Sequence, residues 1–204
     1  MPRRPLNSLS IITDQQRYDT LSCNGAPLCR TPHLDALAAG GVRFTQAYTN
    51  TAICTAQRAT MLTGLEPHKH GMLANPERNV GYPTELPAGT VPYTRHLAAA
   101  GYRCGLVGKW HLGCERGQDY YGIEGTHLPG WDGPVDHPDY LAYLAERGLP
   151  RYATRDAFRG VFPNGQASLL MAATYQGPVE GTYSYYLAER AIAMLRDMAA
   201  TRRR

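Results

Sequence analysis

Short apolar runs that stop abruptly at polar clusters, with helix-like stretches between them, are what most constrain this chain. Residues 9–13 (LSIIT) run straight into Asp14-Gln15-Gln16-Arg17. A β-branched run closed this way predicts a buried strand whose C-terminal end lies at a turn or a site. Thr31-Pro32 then supplies a helix start, with Thr as N-cap and Pro where no N–H is needed. Leu34, Leu37 and Ala38 fall on one face, and Gly40-Gly41 offers a left-handed stop. A strand is expected over 42–48. Helices are expected from Cys54 to about residue 62, ending at Gly64, and over 92–100, ending at Gly101. A strand over 102–107 follows, leading into Gly108-Lys109-Trp110-His111. Strands alternating with helices predict an α/β fold with a largely parallel sheet flanked by helices. In such sheets ligands bind beyond the carboxyl ends of the strands, and two of these strands end in polar clusters.

Beyond residue 113 the pattern changes. From Cys114 to about Gly181 periodicity fades into Gly-, Pro-, Tyr- and Asp-rich stretches such as GWDGPVDHPDY, with a short helix expected near 140–147. A long stretch of this kind reads as an insertion or functional loop region. Tyr183, Tyr186, Leu187, Ala191, Met194, Leu195 and Met198 then mark an amphipathic helix. The organisation expected is one domain over 1–204: a motif-bearing core at 9–113, a loop-rich insertion at 114–181 and a helix at 182–200.

Composition narrows the function classes. With 204 residues, 43% hydrophobic and 19% charged, the chain is ordinary for a globular protein, and its 21 glycines and 15 prolines favour turns. The net charge of +4 sits largely in Arg3-Arg4 and Arg202-Arg203-Arg204, as solvated ends rather than a basic stripe with aromatics, so no nucleic-acid partner is expected. The five cysteines (Cys23, Cys29, Cys54, Cys104, Cys114) are odd in number and show no CxxC spacing, which suggests neither a disulfide framework nor a zinc knuckle. The first 17 residues lack the apolar core of a signal peptide and no stretch would span a membrane, so a reducing cytoplasm is the expectation.

Four sets of residues could carry chemistry. In Cys54-Thr55-Ala56-Gln57-Arg58, a helix beginning at Cys54 puts Cys54 and Arg58 on one face. Helix N-terminal N–H groups and a guanidinium both favour an anion such as sulfate or phosphate. The alternative is a buried structural Cys beside a surface Arg. Asp14-Gln15 offers hard oxygen donors for Ca²⁺, Mg²⁺ or Mn²⁺, or simply a polar turn. Lys109 and His111 would share a side of an extended segment, with Trp110 on the other, or be a solvated Lys and a hydrogen-bonded His. His68 and His70 in PHKHG read as a polar loop more readily than as a metal pair.

Taken together, IITDQQRYDTL, TPHLDALAAGGVRFTQAY, ICTAQRATMLTG and GYRCGLVGKWHLG resemble, in order and spacing, the sulfatase family of the alkaline-phosphatase-like superfamily, over roughly 9–113. YYLAERAIAMLRD resembles a later segment of that family. The resemblance implies a sulfuric ester hydrolase acting on a small-molecule sulfate ester, with Cys54 converted to formylglycine by a formylglycine-generating enzyme. One hydroxyl of the hydrated aldehyde attacks sulfur and the alcohol leaves; the other then loses its proton and expels sulfate as the aldehyde re-forms. It further implies that Asp14, Gln15 and residue 54 bind a divalent cation, Ca²⁺ first with Mg²⁺ or Mn²⁺ as alternatives. Arg58 matches the residue that steadies formylglycine, and Lys109 and His111 match groups on the nucleophile hydroxyl and sulfate oxygens.

The chain departs from the family pattern in three ways. Ala56 stands where the modification motif usually has Pro. Gln15 stands where many sulfatases have a second Asp, a form shared with phosphonate monoester hydrolases, which keeps phosphonate or phosphodiester hydrolysis as an alternative. Family members are also much longer, with further metal ligands beyond this length. The expectation is therefore an N-terminal portion, weakly active or inactive alone, with exposed apolar surface and a bare strand edge. A non-catalytic product or interaction module is the reading from another class.

Overall fold

The computed structural model describes residues 6–26, 29–76, 80–113, 115–128 and 133–201. Arg3-Arg4, Cys114, Trp131-Asp132 and the final three arginines lie outside the described residues. The chain forms two compact units, 1–48 and 49–204.

In the first unit, α1 (Pro32–Gly40) begins where expected, with Thr31 at the N-cap position and Pro32 opening the helix. The Thr31 side chain does not cap the helix. Its Oγ1 accepts the Ser22 N–H at 2.9 Å and donates to Asp35 Oδ1 at 3.1 Å, and Asp35 Oδ1 also accepts the Cys23 N–H at 2.8 Å. These bonds tie the 22–31 loop to the helix start. The stop differs too: Gly41 is extended (φ −135°), so α1 ends without a left-handed residue.

Neither strand expected in this unit forms. Residues 9–13 and 42–48 have no ladder partner among the described residues, and Leu9, Ile11, Ile12, Val42, Phe44 and Tyr48 are exposed. The reason is physical: strand propensity reports side chains that fit a half-buried pleated surface, and without a neighbouring strand there is no such surface.

The second unit holds the core. Helix α2 (Cys54–Thr63) ends at Gly64 in the left-handed conformation (φ 69°), as read from sequence. The single turn α3 (Pro67–His70) follows, then α4 (Tyr93–Ala99) and strand β1 (Gly105–Lys109), which starts and ends later than the 102–107 expected. β1 pairs in parallel with β2 (Glu124–Leu128), and the Trp110 N–H extends the ladder to Leu128 O at 2.7 Å. Ala59, Leu62, Met72, Leu86, Trp110, Leu112, Tyr121 and Ile123 make one buried cluster.

The 114–181 stretch is more ordered than its periodicity suggests. Besides β2 it contains α5 (Pro138–Glu146) and an antiparallel hairpin, β3 (Thr154–Val161) with β4 (Ala167–Tyr175). α6 (Tyr183–Ala200) begins at Thr182, whose Oγ1 accepts the Tyr185 N–H at 3.3 Å. Tyr140, Tyr143 and Tyr186 bury their rings between α5 and α6, and the Tyr143 hydroxyl donates to Glu180 O at 2.8 Å.

Glycine lets α6 lie on the parallel pair. A Cβ at Gly105 would sit 2.4 Å from Met194 Sδ, and one at Gly125 (φ 112°) 2.2 Å from Met194 Cε and 2.3 Å from Leu106 O. The architecture is α/β, with one parallel pair and one antiparallel hairpin among the described residues. Among the described residues, no helix is long and apolar enough to cross a membrane.

Candidate active site

The second unit brings Cys54, Arg58, Lys109 and His111 into one body. Ile53 is extended (φ −118°, ψ 133°) and has no side chain able to cap, so Cys54 is the first helical residue of α2. Thr55 and Ala56 are wholly buried, whereas Cys54 and Arg58 are partly exposed on the same face. Arg58 Nη1 donates to the Lys109 carbonyl at 2.6 Å. This bond ties α2, which begins at Cys54, to the carboxyl end of β1. A guanidinium suits the role because it keeps further N–H donors for a second acceptor in the same plane.

Downstream of β1 the expected alternation does not hold. His111 has φ 58°, a left-handed conformation uncommon outside glycine, so the segment turns at that residue. Trp110 and His111 are both buried. Trp110 packs its ring 5.4 Å from Tyr121 and donates Nε1–H to Arg116 O at 3.1 Å. Lys109 is the last residue of β1 and half-buried. Gln15 also has a positive φ, 55°, and only Asp156 joins these two among the described non-glycine residues. Such conformations cost of order 1–3 kcal/mol and persist where the surroundings impose them.

Asp14 and Gln15 belong to the first unit, where both are exposed at a bend. A carboxylate and an amide oxygen fit a hard divalent cation in kind. They fall short in number, since Ca²⁺ takes six to eight oxygens, and among the described residues no three His, Cys, Asp or Glu side chains gather as a metal site.

Of the two histidines, His70 is structural and His68 is exposed. His70 is buried, its Nδ1 accepting the Met72 N–H at 3.1 Å and its Nε2 lying 3.2 Å from Thr60 Oγ1. Acceptance at Nδ1 puts the proton of the neutral ring on Nε2. Burial pushes its pKa down, keeping the ring neutral.

Sequence reasoning missed Asn75, which lies twenty residues after Thr55 and whose Oδ1 accepts the Thr55 N–H at 3.2 Å. Nothing in the local pattern of ANPE marks it as a cap for α2. With Ile53, Ala74 and Val80, Asn75 lines an open pocket of about 350 Å³ beside the start of the helix.

The chain as a whole is similar to known proteins. A sulfatase family model matches residues 7–194. Human arylsulfatase A is 42% identical over 133 residues, 64% of this chain and 24% of that protein. The sulfatase YidJ of Escherichia coli is 36% identical over 153 residues, 72% of this chain and 28% of that protein. Among solved structures, the phosphonate monoester hydrolase of Agrobacterium radiobacter superposes with a TM-score of 0.63 at 26% identity, over 89% of this chain and 36% of that one. The chain thus spans about a quarter of the length of the curated relatives it matches. With the family model covering nearly the whole chain, this protein belongs to the sulfatase family.

Proposed function

We propose that this chain carries the nucleophile of a sulfate-ester hydrolase, supplied by Cys54 after conversion to formylglycine. The observation that carries the reading is the placement of Cys54 at the first position of α2, with Arg58 one turn on and bonded to Lys109 O at 2.6 Å. Conversion replaces sulfur by oxygen and oxidises Cβ by two electrons, so it requires an external oxidant and the formylglycine-generating enzyme. The hydrated aldehyde then offers two hydroxyls: one attacks sulfur as the alcohol departs, and the other releases its proton and expels sulfate. A plain thiolate has no such internal route for release.

In this reading Arg58 orients residue 54, while Lys109 and His111 hold the nucleophile hydroxyl and the sulfate oxygens. Lys109 supplies charge, and the buried, conformationally held His111 supplies a fixed hydrogen-bonding ring. By the family resemblance a divalent cation, Ca²⁺ first, falls to Asp14 and Gln15, and when bound it would polarise the sulfate. Its remaining ligands lie beyond the donors described, so turnover is a property of the whole protein.

The same scaffold supports a second reading, phosphonate monoester or phosphodiester hydrolysis. Asp14-Gln15 favours it, as does the likeness to the Agrobacterium enzyme. Comparing turnover of aryl sulfate, aryl phosphonate and phosphodiester substrates separates the two. The first reading expects sulfate release to dominate; a preference for phosphorus esters would replace it with the second.

A further inference from the structure

We propose that Asn75 is a positioning residue for the nucleophile, capping the Cys54 end of α2 from outside the helix. The proposal rests on the hydrolytic reading above only for its consequence in catalysis.

The first turn of any helix leaves N–H groups without intrahelical acceptors, and a side chain at the N-cap position ordinarily takes one. Here that position is Ile53, which cannot accept. Thr55 is wholly buried, so water is a poor substitute for its N–H. Asn75 Oδ1 takes it at 3.2 Å. Because a backbone N–H can only donate, the amide orientation follows from the contact, and Nδ2 must face elsewhere.

Asn75 is held to this task by the segment that carries it. His70 and Met72 are buried, and Met72 packs in the cluster with Ala59 and Leu62 of α2. His70 bonds both to the Met72 N–H and to Thr60 of the same helix. The chain is therefore fixed to the flank of α2 before it reaches back to the N-terminus. Asn75 also lines the pocket of about 350 Å³ with Ile53, the residue before Cys54. A single amide thus links the loop beside the pocket to the peptide that follows the nucleophile. Losing it frees the first turn and lets residue 54 wander, while the groups that bind the ester remain in place.

The test is hydrogen exchange at Thr55, read alongside kcat and KM for 4-nitrophenyl sulfate, in the whole protein with its full metal-ligand set, as wild type, Asn75→Ala and Asn75→Asp. Loss of a cap corresponds to roughly fivefold faster exchange at Thr55 in Asn75→Ala. Asn75→Asp keeps the acceptor and should exchange like wild type. In Asn75→Ala, kcat should fall about tenfold with KM within about twofold, and Asn75→Asp should recover most of kcat. Unchanged Thr55 exchange in Asn75→Ala, or fast exchange in Asn75→Asp, would overturn the cap. Normal kcat in Asn75→Ala despite fast exchange would overturn the positioning role. If wild type hydrolyses no sulfate ester, the functional reading fails, and exchange alone still decides whether Asn75 caps α2.

Discussion

Residues 9–13 and the strand β1 carry similar sequence signals and meet different fates. Both are short apolar runs closed by polar residues proposed for the site, Asp14-Gln15 after one and Lys109-Trp110-His111 at the other. β1 finds β2 at its edge and α6 on its face, and becomes the frame of the second unit. Residues 9–13 find neither among the described residues, and Ile11 remains 78% exposed. A strand is a relation between segments. Local sequence encodes readiness to pair, and pairing itself depends on what else is within reach.

The largest expected effect that would break this comparison lies at Cys54, the proposed nucleophile, on the better-framed side. Cys54→Ala should reduce sulfate-ester turnover by about 10⁴-fold or more, because loss of a covalent nucleophile leaves only binding and electrostatic terms. Retained turnover would remove Cys54 from the chemistry. Next, Gly125→Val should destabilise the second unit by about 3 kcal/mol in denaturant unfolding, since its side chain would meet Met194 and the Leu106 carbonyl at a positive φ. Arg58→Ala should cost about 1.5–3 kcal/mol of stability through the lost bond to Lys109 O. At the small end, Ile11→Ser should change stability by no more than about 0.5 kcal/mol, as expected of an exposed residue. If Ile11→Ser destabilised as strongly as Gly125→Val, the contrast between the two segments would fail.

His70 gives the comparison a pH axis. Burial lowers its pKa in the folded protein below the ordinary 6.5, so below that pH the unfolded chain binds more protons than the folded one. Stability contributed by the neutral ring is therefore present above about pH 6.5 and is lost as pH falls through the window below it. Thermal melting at pH 7.5 and 5.5 should show a decline that His70→Gln reduces. An equal decline in the variant would assign the acid sensitivity elsewhere.

Much of the fold was legible because its punctuation is local. Gly64 and Gly101 stop their helices through positive φ, and the Tyr183–Met194 spacing matches the face that packs. The hairpin β3–β4 carries its own local signal: Asn164-Gly165 is a strong turn pair, and Gly165 adopts φ 82° in the observed turn. Other features had no local signal. The left-handed turn at His111 undoes an argument from strand alternation, and Asn75 reaches α2 from twenty residues away. Buried packing and long-range caps are set by tertiary contacts, which periodicity does not report. In the candidate site, motif order proposes Cys54, Arg58, Lys109 and His111, and the structure adds the Arg58–Lys109 bond.

The central claim is that Cys54 becomes an aldehyde nucleophile despite Ala56 at the neighbouring motif position. Peptide mass spectrometry across residues 54–58 of the protein purified from its own cells tests it most directly. The account predicts a peptide that has lost the Cys54 sulfur and reacts with a hydrazide probe. An intact, alkylatable thiol at Cys54 in protein that hydrolyses sulfate esters would contradict it.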